Sequence, residues 1–183
     1  MTFFVFIRLF NEGGERVKND LFEKIYGQYS KELYLYIFSM CKDHYMTEEL
    51  VSDTFFKALA SVNNMEGHIK YWLFRVARNL WVDRLRKERK SVVGFKEEIN
   101  NNWDESKNAN PAERLINSEK NNMLYRGILN LPDKYKEVIT LYYFCDYSLK
   151  EISKITSMTP GAARTLLYRA RNILKEELKD VID

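Results

Sequence analysis

Apolar side chains recur along this chain at helical rather than strand spacing, in separate blocks. Over residues 20–42, Phe22, Ile25, Tyr26, Tyr29, Leu33, Tyr36, Ile37 and Met40 follow at helical steps that mark one buried helix face. A second block opens with Thr47 as cap and Glu48 and Glu49 in the first turn, where carboxylates suit the helix dipole. Val51, Phe55, Ala58, Leu59 and Val62 form its buried side. The stretch SVNNMEG, residues 61–67, breaks the period and reads as a loop. The longest block, 68–91, stacks Ile69, Trp72, Leu73, Val76, Ala77 and Leu80 on one stripe. The period vanishes over 92–110. It returns in a helix from Pro111 to about Leu129, with Asn110 and Glu113 in capping positions, and in another over 133–144. Val138, Leu141, Tyr142 and Cys145 give that last helix its apolar side. These blocks predict an all-α fold with two helical domains, 20–91 and 111–178. A flexible acidic linker joins them, and the second ends in a helix-turn-helix.

Residues 148–175, SLKEISKITSMTPGAARTLLYRARNILK, carry that last motif. Leu149, Ile152 and Ile155 supply one buried side of a short helix, with small Ser153 where two helices cross closely. Thr156, Ser157 and Met158 make the break. Thr159 caps and Pro160 opens a second helix, the favoured order at a helix start. Ala163, Leu166, Leu167, Ala170 and Leu174 form its apolar stripe; Gly161, Arg164, Thr165, Tyr168, Arg171 and Lys175 lie opposite. Residues 160–175 hold four basic and no acidic side chains. A helix packed on one side and cationic on the other fits a DNA major groove; the plain alternative is a solvated basic face.

Charge sharpens the picture. The 183 residues carry a net charge of only +3, so a nucleic-acid surface must be local. The third helix ends in DRLRKERK, and residues 84–90 hold five basic side chains against one acidic. Tyr71, Phe74, Arg75, Arg78 and Asn79 lie off its apolar stripe. Rings beside arginines are what unpaired bases and their phosphates require. Trp72 reads as core, while Tyr71, Phe74 and Trp81 stay open between core and surface. Glu49, Asp53 and Lys57 share an outer strip of the second helix, by default a solvated one. From 92 to 113 the balance reverses, with two basic and five acidic side chains. Cys41 and Cys145 sit in apolar contexts and read as buried thiols. No phosphate-binding glycine loop, metal constellation or histidine-activated nucleophile is evident, so neither an enzyme nor a cofactor is expected. MTFFVFIRLF at the start is too short for a membrane span and lacks the marks of a signal peptide, and no other stretch is long and apolar enough. A cytoplasmic protein is the expectation.

Two separate stretches resemble one family. EELVSDTFFKAL followed by YWLFRVARNLWVDRLRK is similar to the second region of extracytoplasmic-function sigma factors of the sigma-70 family. LPDKYKEVITLYYFCDYSLKEISKITSMTPGAARTLLYRARNIL is similar to their fourth. The resemblance covers about residues 20–178, with the order and separation the family has. It implies a polymerase subunit that selects and opens promoters, with core RNA polymerase, promoter DNA and an anti-sigma factor as partners and no small-molecule substrate. By the same resemblance, Glu49, Asp53, Thr54 and Phe55 dock on polymerase. The loop holding Asn63, Asn64 and Met65 receives a flipped minus-ten base, with Asn79 near it. Arg75, Arg78, Arg84, Arg86 and Lys87 hold the promoter backbone. Thr159, Gly161, Arg164, Thr165, Tyr168, Arg169 and Arg171 belong to the minus-thirty-five reader. Ala162 and Leu166 depart from the threonine and arginine that family members often have there. The competing reading is a helix-turn-helix regulator with a sensing or dimerising first domain, which leaves the arginine-rich third helix without a role.

Overall fold

The computed structural model describes residues 16–61, 69–91 and 111–179. Among them are eight helices and no strand. The N-terminal half holds α1 (Arg16–Cys41), α2 (His44–Ser61) and α3 (Ile69–Ser91). The C-terminal half holds α4 (Pro111–Arg114), α5 (Glu119–Asn130), α6 (Asp133–Tyr143), α7 (Leu149–Ile155) and α8 (Pro160–Glu177). The expected linker at 92–110, the loop with Asn63, Asn64 and Met65, and the apolar start Met1–Phe10 lie outside the described residues.

Helix α1 packs along α2 and α3 through its expected stripe, in which Phe22, Ile25, Leu33, Tyr36 and Ile37 are buried. Phe55 of α2 closes this core, edge-on to Phe22 with ring centroids 5.9 Å apart and 4.8 Å from the Tyr26 ring. The start of α2 differs from expectation. Asp43, not Thr47, caps it, its Oδ1 accepting the Met46 N–H at 2.7 Å. Thr47 is fully buried one turn on, and its hydroxyl donates to the Asp43 carbonyl at 2.6 Å. The helix expected over 111–129 is likewise interrupted. It stops after Arg114 and restarts at Glu119, with Ser118 extended at φ −130°. The break lets Ala112 and Ile116 turn onto Leu35, Phe38 and Tyr125, a small second core between the halves. Arg126 clasps the two sides of the break, with Nε and Nη2 at 2.7 and 2.6 Å from the Glu113 carboxylate.

Leu35 and Phe38 lie off the stripe predicted for α1, so this helix is buried on two sides. Helix α6 is enclosed more fully: Lys136, Val138, Ile139, Thr140 and Leu141 are all buried between α1 and α8. One continuous apolar core therefore runs from α1–α3 through α6 into α7 and α8.

The helix-turn-helix forms as its residues dictate. Ser148 and Glu151 make a reciprocal capping box at the start of α7. Ser157, at φ 58°, turns the chain, and the Met158 N–H closes on the Ser153 carbonyl at 2.9 Å. Thr159 then caps α8, accepting the Ala162 N–H at 3.2 Å. Hydrogen bonds from the Ser148 hydroxyl and backbone N–H hold the Glu151 carboxyl below its ordinary value. A depressed folded-state value means that this contribution is complete above the ordinary carboxyl range and fades as pH falls through it.

Two stability outcomes follow from this packing. Phe55→Ala empties a fully buried ring site and should cost about 3–5 kcal/mol, read as a lowered midpoint in urea unfolding followed by circular dichroism. Ser148→Ala should cost about 1 kcal/mol at neutral pH, with a smaller difference from the parent chain in acid.

Candidate nucleic-acid interface

Helix α8 buries Ala163, Leu167, Ala170 and Leu174 and leaves Leu166 half-buried at the edge of that stripe. Gly161, Ala162, Arg164, Thr165, Arg169 and Arg171 are exposed, and Tyr168 is 66% exposed. Thr165 spends its hydroxyl proton on the Gly161 carbonyl at 3.0 Å, leaving its methyl and an oxygen lone pair outward. Arg171 is already engaged: its guanidinium carbon lies 5.1 and 5.4 Å from the ring centroids of Tyr142 and Tyr143 at the end of α6. The first turns of α8 therefore offer Arg164, Thr165, Tyr168 and Arg169 to a ligand, while Arg171 is tied to α6.

On α3 the expected off-stripe residues divide. Arg75 and Asn79 are exposed, as are Arg86 and Lys87. Phe74, left open between core and surface by its spacing, is fully buried and meets Tyr147 of the C-terminal half edge-on at 5.1 Å. Tyr71, Trp72 and Trp81 are half-buried. Three of the arginines carry carboxylate partners. Arg78 Nε bonds Glu137 Oε1 of α6 at 2.7 Å. Arg84 lies 3.1 Å from Glu49 and 3.3 Å from Glu88, and Glu49 foremost raises its already high pKa. Arg86 pairs with Asp83 at 3.3 Å. The last two pairs are exposed and weak, so a polyanion displaces them easily.

The outer face of α2 is acidic with aromatic ends. Glu48, Glu49 and Asp53 are exposed, flanked by Tyr45 at 81% and Phe56 at 55% exposure. Thr54 and Phe55 do not belong to it. Both are fully buried, and the Thr54 hydroxyl donates to the Leu50 carbonyl at 2.7 Å, so neither side chain reaches a partner. The register is the reason. Phe55 is on the buried stripe with Val51 and Ala58, whereas Phe56 stands one residue, about 100°, around the helix. Tyr45 and Phe56 were missed, although their eleven-residue spacing already places them on one face.

With these surfaces defined, likeness to known proteins decides the family. Residues 25–91 match the Sigma-70 region 2 family model, and residues 121–174 match Sigma-70 region 4. ECF RNA polymerase sigma factor SigM of Bacillus subtilis (strain 168) is 32% identical over 154 residues, covering 84% of this chain and 92% of the relative. The chain belongs to the extracytoplasmic-function RNA polymerase sigma factors. SigW of the same organism is 28% identical over 170 residues, covering 88% of the sigma factor described here and 91% of the relative. Among solved structures, the sigma factor RpoE in complex with the anti-sigma factor NepR from Bartonella quintana has a TM-score of 0.68 and 26% identity. It covers 90% of this chain and 98% of that one. CnrH, solved with the cytosolic domain of CnrY, shares the fold at a TM-score of 0.59 and 18% identity, covering 88% of this chain and 90% of that one. A sigma factor directs transcription initiation by recognising DNA rather than by catalysing a reaction. None of the described helices is long and apolar enough to cross a membrane.

For this sigma factor, Arg164→Ala should weaken binding to promoter duplex by about 1–3 kcal/mol if Arg164 reads a guanine, or flatten the salt dependence if it meets phosphate. An unchanged isotherm across a salt series would remove Arg164 from the reading face.

Proposed function

We propose that this sigma factor divides its work among three helices. The outer face of α2 docks core RNA polymerase through Glu49, Asp53 and the exposed rings of Tyr45 and Phe56. Helix α3 holds the parted minus-ten strands through Arg75, Arg78, Asn79, Arg84, Arg86 and Lys87, together with the loop of Asn63, Asn64 and Met65. Helix α8 reads the minus-thirty-five duplex through Arg164, Thr165, Tyr168 and Arg169, with Gly161 allowing close approach and Thr159 fixing the helix start. The division into units at 20–91 and 111–178 belongs to this proposal, as does a cytoplasmic site of action. The similar sigma factor RpoE, solved with the anti-sigma factor NepR, supports a restraining partner of that kind here.

The observation that carries the reading is the pairing of two unlike cationic surfaces on one chain. The α8 surface is a narrow polar ridge over a buried stripe, suited to a groove. The α3 surface is a longer row of arginines beside half-buried rings, suited to unstacked bases. Promoter opening needs both. Unstacking costs a few kcal/mol per step, and base stacking and capture return about 1–3 kcal/mol per base. The open state is thus trapped by binding alone, without a catalytic group.

The test is reconstitution. Core polymerase with the purified chain should give promoter-specific run-off transcripts, and output unchanged at every candidate promoter would sink the reading. Phe56→Ala should weaken polymerase binding about tenfold, some 1.4 kcal/mol, and Asp53→Ala less but more at low salt. Equal affinities of variant and parent chains in a pull-down titration would take the α2 face off the polymerase.

A further inference from the structure

Glu137 belongs to the C-terminal half, yet its partners belong to the N-terminal half. Its Oε1 accepts from Arg78 Nε at 2.7 Å and from the Tyr36 hydroxyl at 3.0 Å. The contact is largely closed to water, with the Arg78 and Glu137 side chains 22% and 14% exposed. Burial foremost, and then the Glu137 carboxylate, raise the Tyr36 phenol above its ordinary value, so it stays a donor.

Two more residues of the same strip of α3 make contacts across the halves. Lys70, Phe74 and Arg78 are spaced by four and line one side of the helix. Lys70 Nζ donates to the Cys145 carbonyl at 2.6 Å and stands 4.9 Å from the Tyr147 ring centroid, while pairing with Glu32 at 2.9 Å. Phe74 packs edge-on against Tyr147. A strip with a lysine at one end, an arginine at the other and an aromatic ring between them has the composition of a single-strand grip. Here it is occupied by the chain itself.

We propose that Glu137 acts as an internal stand-in for a DNA phosphate, closing the C-terminal half over the Lys70–Phe74–Arg78 strip and withholding that strip from single-stranded DNA until the contact opens. A carboxylate and a phosphodiester offer a guanidinium the same thing, anionic oxygens that accept N–H, and one Arg78 Nε–H serves only one of them at a time. Arg75 and Asn79 stay exposed, so closure takes away part of the grip rather than all of it. The outward residues of α8 also stay exposed, so closure does not cover the duplex reader. A partner opens the contact only by binding the open form better than the closed one. The proposal rests on the assignment of α3 to the minus-ten strands.

The experiment uses the full chain without polymerase. Binding of a fluorescein-labelled pool of short random single-stranded oligonucleotides is followed by anisotropy, and the radius of gyration by small-angle scattering. Glu137→Gln keeps size and removes charge; Glu119→Gln makes the same charge change at an exposed site on α5. We expect Glu137→Gln to bind about tenfold tighter than the parent chain with a larger radius of gyration, and Glu119→Gln to stay within about twofold. Tyr36→Phe, which removes one donor to Glu137 and keeps the ring, should gain less in the same direction. Adding Arg78→Ala to Glu137→Gln should erase the gain. Equal affinities for Glu137→Gln and parent, both folded by circular dichroism, would overturn the proposal, as would an equal gain from Glu119→Gln. Promoter-specific transcription by the parent holoenzyme is measured alongside. Its loss would strike the sigma reading, whereas its presence with no gain in the free variant would strike the closure alone.

Discussion

A helix that packs against a single neighbour keeps a wet face, and α6 has little of one, because α1 covers one flank and α8 the other. Burying a side chain the size of Val138, Ile139 or Leu141 contributes about 1.5–3 kcal/mol. Together these residues supply the apolar area that joins the halves. The Arg78–Glu137–Tyr36 contact has a different part. Partly buried, it contributes less as net stability than as a penalty for misplacement, since a shift of either half strands a charge away from water. Apolar area supplies the adhesion, and the polar triad fixes where α6 stops along α1 and α3. The direction in which α8 points follows from that placement.

The cations on α3 and α8 are prepared differently. Residues 160–175 contain no acidic side chain, so the front of α8 has no carboxylate of its own to pair with. On α3, by contrast, Arg78, Arg84 and Arg86 are each held by a carboxylate. The Arg84 and Arg86 pairs sit in water and yield to a phosphate at little cost. Arg78 does not, because its partner comes from another part of the chain and lies under cover. The cations of the two helices thus stand in different electrostatic settings within one small protein.

Much of the fold was legible because each helix carries its own period. The helix-turn-helix was read down to its cap, since Thr159 followed by Pro160 is a strong local signal. Reading failed where a second partner intervened. Leu35 and Phe38 fall off the α1 stripe because they face α4 and α5, distant in sequence. Phe74 has arginine-side spacing and a core environment because Tyr147 arrives from the other half. Asp43 outcompeted Thr47 as cap because the chain enters α2 a turn early, with Lys42 at φ 55°. On α8, type and spacing separated the buried stripe from the exposed residues, with Leu166 at the edge. On α2 the outward ring is Phe56 and the buried one Phe55; the two are identical in kind, and only the register against Val51 and Ala58 separates them.

Three of the rings at the seam between the halves are tyrosines, and Tyr36 and Tyr125 use their hydroxyls there, on Glu137 and on the Leu35 carbonyl. Tyr147 is buried too, its hydroxyl without a hydrogen-bond partner. A phenol hydrates readily where a plain benzene ring does not, so such a surface tolerates being wetted as well as being packed. Phenylalanine at these places would turn the parted faces into sticky patches and invite clumping between molecules. The seam is dressed for life on both sides of its own opening.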